Sequence, residues 1–290
     1  MRTTPRSAVL YLGALICLLG WLGWRYGAVR SPMPNPEDGG VTNGSYTSAY
    51  FGLSFPLPVG WTDAEAGPGP SQSGYYVLST LIPGGEQTGT ILIAAQDTFF
   101  AAEPFGDAAA MADHFGRAMS EIEGMTIDKG PSVETIAGRP FSRVDYSGVG
   151  LYRAMYATDI RCHVISFNLT TRDPDMLPRL AQNLNNFSIA AGRDDGASIP
   201  ACIKDYAVAE NLIRKVEPAI LGSRFMPVPV RIIIGTDGGV KHVHVIHSSA
   251  ELRQSVEAAL GQWQFKPYQI EGRAVELETG LVIQSSPAGR

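Results

Sequence analysis

The sequence predicts an α+β protein: an apolar N-terminal segment followed by two folded units built largely from antiparallel strands. Three observations carry this. Runs that alternate apolar and polar residues recur between glycine-containing turns, as half-buried strands do. A few segments instead repeat apolar residues every three or four positions and read as helices. Two polar stretches, 31–47 and 191–202, divide the chain, whose 290 residues suffice for about two domains of ordinary size. No internal repeat is visible, so the two units are different folds.

Arg2 and Arg6 precede an uncharged run from Ala8 to Trp24 that ends at Arg25. A signal anchor has this layout, and so does a cleaved secretory signal. Trp21, Trp24 and Tyr26 favour an anchor, since amphipathic rings settle at the headgroup level. No Ala-x-Ala site follows closely, and Ile16 before Cys17 is too bulky for a lipoprotein signal. Residues 1–30 are expected to be a single-pass anchor crossing through 8–24, with 31–47 a flexible tether and the body outside the cytoplasm. The 23 basic residues include Arg2, Arg6, Arg25 and Arg30, leaving 19 against 28 acidic ones beyond the segment. So acidic a body excludes nucleic acid and anionic headgroups as natural partners. A cationic or neutral protein surface suits it better.

In the first unit, 48–190, strands are expected at 51–55, 75–82, 90–96, 132–136, 141–146, 151–158 and 161–169. Met111, Phe115, Ala118 and Ile122 share one face of a helix from Asp107 to Glu123, and Leu177, Leu180 and Leu184 share one face of a helix from Pro174 to Asn185. The opening Tyr50-Phe51-Gly52-Leu53-Ser54-Phe55-Pro56 with Gly60-Trp61, and the order of elements, resemble the PsbP-like α/β sandwich. That resemblance implies an antiparallel sheet with two helices and carries over no catalytic residue.

The second unit, 203–286, opens with a helix expected over 205–221, with Ala209, Leu212, Ile213, Val216 and Ile220 on one face. Strands 228–234 and 240–247 flank the turn Gly235-Thr236-Asp237-Gly238-Gly239. Ser248 and Glu251 form a capping box for a helix that buries Leu252, Val256, Leu260 and Trp263. An alternating strand follows from Val275, its Glu276, Glu278 and Gln284 on the polar side. The turn at Asp237, Val256-Glu257-Ala258-Ala259-Leu260, and Trp263-Gln264-Phe265-Lys266-Pro267 with Gly272-Arg273-Ala274-Val275 resemble the C-terminal domain of the TonB family.

This resemblance implies a non-enzymatic envelope protein at the inner membrane with its body in the periplasm. Its protein partner, such as an outer-membrane receptor peptide, would add a strand to an edge at Val275, Leu277, Thr279, Leu281 and Ile283. A homodimer is a further expectation. Energy transduction is the alternative, weakened because 8–24 lacks the family's intramembrane His and a domain stands where a Pro-rich rod would be. A small-ligand or enzymatic role for 48–190 is the second alternative.

His242 and His244 project from one side of their strand and could begin a metal site, but no further ligand is placed by spacing. Exposed strand histidines are the preferred reading. No cofactor is expected, and no nucleophile, phosphate-loop or zinc-protease motif occurs. Cys162 and Cys202 are the one pair able to bridge outside the membrane run, tying the two units together. A buried apolar Cys162 and an incidental Cys202 thiol are the alternative.

Overall fold

Residues 33–64, 67–85, 88–103, 106–190, 199–219 and 227–284 are described by a computed structural model. The chain divides into Met1–Pro34 and Asn35–Arg290, and the latter holds both expected domains. The run 8–24 lies outside the described residues, among which no helix is long and apolar enough to cross a membrane.

Within Asn35–Arg290, β1 (Gly39–Thr42) and β2 (Ser45–Ser48) form a hairpin, and β3 (Leu53–Pro56) pairs with β2. The tether expected through residue 47 is thus corrected over its second half. Tyr46 is fully buried and Val41 packs on the same core, so two apolar anchors fix an otherwise polar segment.

The next elements are β4 (Trp61–Asp63), β5 (Tyr75–Pro83), β6 (Thr90–Asp97), α1 (Ala108–Ser120), β7 (Met125–Ile136), β8 (Arg139–Gly148), β9 (Leu151–Ile160), β10 (His163–Thr171), α2 (Met176–Asn183) and β11 (Ser188–Ile189). Strands β4 to β10 make an antiparallel sheet of order β4-β5-β6-β10-β9-β8-β7, and β11 joins the smaller sheet beside β3. Asp107 caps α1 by accepting from the Ala110 amide, and Ala108, Ala112 and Gly116 are small enough to bring the helix onto Val144 and Met155. The opposite face is filled by Phe55, Phe141, Phe167 and Phe187, with ring centroids 5.3–6.3 Å apart, together with Leu180 and Leu184.

The second half comprises β12 (Ala201–Cys202), β13 (Leu212–Arg214), β14 (Val228–Ile234), β15 (Val240–Val245), α3 (Ala250–Leu260), β16 (Gln264–Phe265), β17 (Gln269–Ile270), β18 (Arg273–Ala274) and β19 (Leu277–Ile283). Its main sheet has the order β12-β19-β14-β15, with β12 parallel to β19 and the other pairings antiparallel. On one face Val256, Leu260, Trp263 and Phe265 cover Val230, Ile232, Ile234 and Leu277. The cap of α3 falls one residue later than expected: Ser249, not Ser248, accepts from the Leu252 amide at 3.4 Å.

The helix expected over 205–221 is replaced, in its described part, by extended chain with one short 3₁₀ turn at Ala209–Asn211. Tertiary hydrogen bonds override the helical spacing here. The Lys266 amide donates to the Asn211 carbonyl, the Tyr206 hydroxyl to the Lys266 carbonyl, and β13 pairs with β16. Ile213, expected on the buried face, is 63% exposed.

Candidate functional site

Strand register decides what the second sheet does with its other face. Arg231 pairs with Gly280 and His244, and Ile233 with Glu278 and His242, so these six residues share the face turned away from α3. That face lies on the first half. Arg231 and Glu278 are 1% and 2% exposed. Ile246 belongs to the aromatic core of the first half. Over Gly280, a Cβ would come within 2.8 Å of the Phe100 ring and 3.0 Å of Phe99, so only glycine allows this approach.

At the junction the Arg231 guanidinium donates to Asp97 Oδ2 at 2.6 Å and to Glu278 Oε1 at 3.1 Å. Arg161 donates from Nε to Glu278 Oε2 at 3.0 Å and from Nη1 to the Tyr50 carbonyl at 2.8 Å. The Tyr50 hydroxyl donates to Glu278 Oε1 at 2.6 Å. Arg161 stacks on the Tyr50 ring at 3.9 Å, and Arg231 on Phe99 at 4.6 Å. Two guanidiniums thus face two carboxylates, and the cluster is neutral as a whole.

Burial alone would raise the Glu278 pKa, but Arg231, then Arg161, then the Tyr50 hydroxyl outweigh it and hold the carboxyl down at about 2. For His163, burial and then the Arg231 charge push the imidazole down to about 4. Its Nδ1 lies 2.8 Å from the Arg161 carbonyl, which can only accept, so Nδ1 carries the proton of a neutral ring.

The β9–β10 turn inserts this chemistry. Arg161 and Cys162 occupy its two central positions at φ 48° and 60°, the left-handed region where Asn and Gly are usual. Side chains other than these strain the turn. Their contacts offset that cost: Arg161 reaches Glu278, and Cys162 is disulfide-bonded to Cys202 of β12, with Cα atoms 5.8 Å apart.

β19 ends in a different environment. The amides of Ala201 and Ile203 donate to the carbonyls of Glu276 and Glu278, so even-numbered residues of this strand direct their backbone away from β14. The chain then turns off after Ile203. The outward amides and carbonyls of Gly280 and Val282 have no strand beside them among the described residues. They border a groove of about 780 Å³ walled by Lys204, Val208, Leu212, Lys215, Trp263 and Ile283. Val208 and Val282 are 40% and 45% exposed at its rim.

The expected edge is therefore only half open. Val275 precedes the strand and donates its amide to the Tyr268 carbonyl. Leu277 is buried beside β12, and Thr279 is buried with its hydroxyl on the Lys204 carbonyl at 3.0 Å. Leu281 and Ile283 line the groove. His242 and His244 are not the exposed strand histidines expected. They bind Asn35 Oδ1 and Glu37 Oε1, both at 2.9 Å, and His244 is 3% exposed. No metal-holding group of three or more His, Cys, Asp or Glu occurs among the described residues. Cys162 lies in the turn rather than in a strand, and Glu278, read as solvent-facing, is the centre of the junction.

Residues 227–283 match the model of the Gram-negative bacterial TonB protein C-terminal family. The match spans β14 to β19, so Arg231, Glu278 and the open edge all fall inside it. No curated protein matches the chain. Among solved structures, cyanobacterial PsbP (CyanoP) from Synechocystis sp. PCC 6803 is 16% identical at a TM-score of 0.38, covering 52% of this chain and 96% of that one. LpqN of Mycobacterium tuberculosis, involved in cell envelope biogenesis, is 13% identical at 0.31, covering 53% and 84%. A Pseudomonas aeruginosa protein of unknown function is 18% identical at 0.29, covering 46% and 88%.

Proposed function

We propose that this chain is a non-enzymatic cell-envelope protein, held at the inner membrane by residues 8–24, whose periplasmic body binds a protein partner at the open end of β19. The observation that carries the reading is the outward-facing backbone of Gly280 and Val282, beside an open groove of about 780 Å³. An added strand would satisfy their four backbone groups, each hydrogen bond contributing about 1 kcal/mol net. Its side chains would alternate between the groove, with Val208, Leu212 and Trp263, and the rim at Val282. The TonB-type match over 227–283 supports a binding role. The groove sets lysines and carboxylates around a backbone edge and converges no nucleophile with a base.

A photo-reactive residue at Val208, in the full chain expressed in its own cells, should give one discrete adduct. Val282→Pro removes an outward donor while leaving the β14 ladder intact, so it should abolish that adduct without unfolding the protein. Equal adducts from Val133, on the remote edge strand β7, would refute a specific docking site.

A further inference from the structure

The covered half of β19 points to a control on the open half. β12 is two residues long, and it occupies the same border of β19 that a partner would use, immediately before Gly280. The parallel ladder to β19 is extended at its two ends by backbone hydrogen bonds from the Ala201 amide to the Glu276 carbonyl at 2.8 Å and from the Ile203 amide to the Glu278 carbonyl at 3.0 Å. So short a strand has little of its own to keep it paired. Its covalent hold is Cys202, joined to Cys162 on the β9–β10 turn. Cys202 is exposed and Cys162 half-buried, so the bridge is open to small reductants.

We propose that β12 is a resident occupant of the docking edge, retained by the Cys162–Cys202 disulfide and released when that bond is reduced. A dithiol reductant attacks through a mixed disulfide. The bridge takes up two electrons and two protons to become two thiols, and the reductant leaves as its own disulfide. Release exposes the outward backbone of Glu276 and Glu278, extending the edge from Gly280 and Val282 to four alternate residues. Arg161 stays bound to Glu278 and Tyr50, since neither contact passes through the sulfur atoms. The two halves therefore remain joined while the edge lengthens. This rests on the docking role of β19 and adds its regulation.

Amide hydrogen exchange on the full chain, with and without dithiothreitol, tests the gate without any partner. With both thiols confirmed free by mass, protection in the peptide containing Ala201 to Ile203 should fall about tenfold or more, as expected for a local opening. Peptides from β10 and β14 should keep theirs. Cys202→Ser, which leaves the strained turn unaltered, should reproduce the effect without reductant. Unchanged protection at 201–203 in the reduced protein would overturn the gate and leave docking at Gly280 and Val282 standing. Loss of protection throughout β10 and β14 would also overturn it, by making the bridge a global rather than a local restraint.

Discussion

His163 owes its chemistry to neighbours from several elements: Asp97 on β6, Arg231 on β14, Glu278 on β19 and the rings of Tyr50 and Tyr76. It stays neutral in the folded protein until about pH 4, whereas an unfolded histidine gains its proton near 6.5. His242, lowered to about 4 by burial and then by His244, behaves alike. Between these limits the unfolded chain binds more protons, so stability must fall as pH falls. For His163 alone the loss is on the order of 3 kcal/mol by pH 4. From about pH 4.5 downward, unfolded Glu278 takes up its proton while the folded carboxyl resists to about 2, so the decline continues below pH 4. Melting temperature should drop steadily from pH 7 to 4, and His163→Gln should flatten that slope. An equal slope in both proteins would contradict the assignment of a neutral, buried ring. Little of this was legible in the chain. Glu278 stands at an alternating polar position and reads as solvent-facing. The signal lay one strand away: Arg231-Ile232-Ile233-Ile234 does not alternate, and an unbroken apolar run belongs to a strand buried on both faces.

At the scale of elements, periodicity was a sound guide where an element buries one face against its own sheet. The helix around Met111 and Phe115, the helix around Leu180 and most strands from Tyr75 to Thr171 lie within a few residues of their expected ends, whereas β7, expected from Ser132, begins seven residues earlier at Met125. It failed at 205–219, where Ala209, Leu212, Ile213 and Val216 happen to follow a helical spacing. Backbone pairing with Gln264–Phe265 holds that stretch extended. It failed again at 39–48, where Gly, Thr and Asn mask a hairpin anchored by the buried ring of Tyr46 and by Val41. β19 shows why a strand's register can be read while its role cannot. Its alternation foretells the residues facing α3. Whether its border is free depends on Ala201–Cys202, a pair too short to announce itself as a strand.

Across the whole molecule, the second sheet does not form an independent body. Its second face is built for the first half, through Gly280 under Phe99 and Phe100 and through Arg231 between Asp97 and Glu278. Arg231→Leu would leave two buried carboxylates to one arginine, a cost of roughly 3–5 kcal/mol. Denaturant unfolding should then lose midpoint in one transition common to probes in both halves. Two separate transitions, with only the second half destabilised, would mean the halves are merely adjacent. The account as a whole turns on β19 being closed at its start and open at its end. Residue-resolved amide exchange of the disulfide-bonded full chain measures this directly. Leu281 and Ile283, whose amides face β14, should be protected, while Gly280 and Val282 exchange freely. Strong protection of Gly280 and Val282 in the absence of a partner would show the border already filled, and would contradict the docking role.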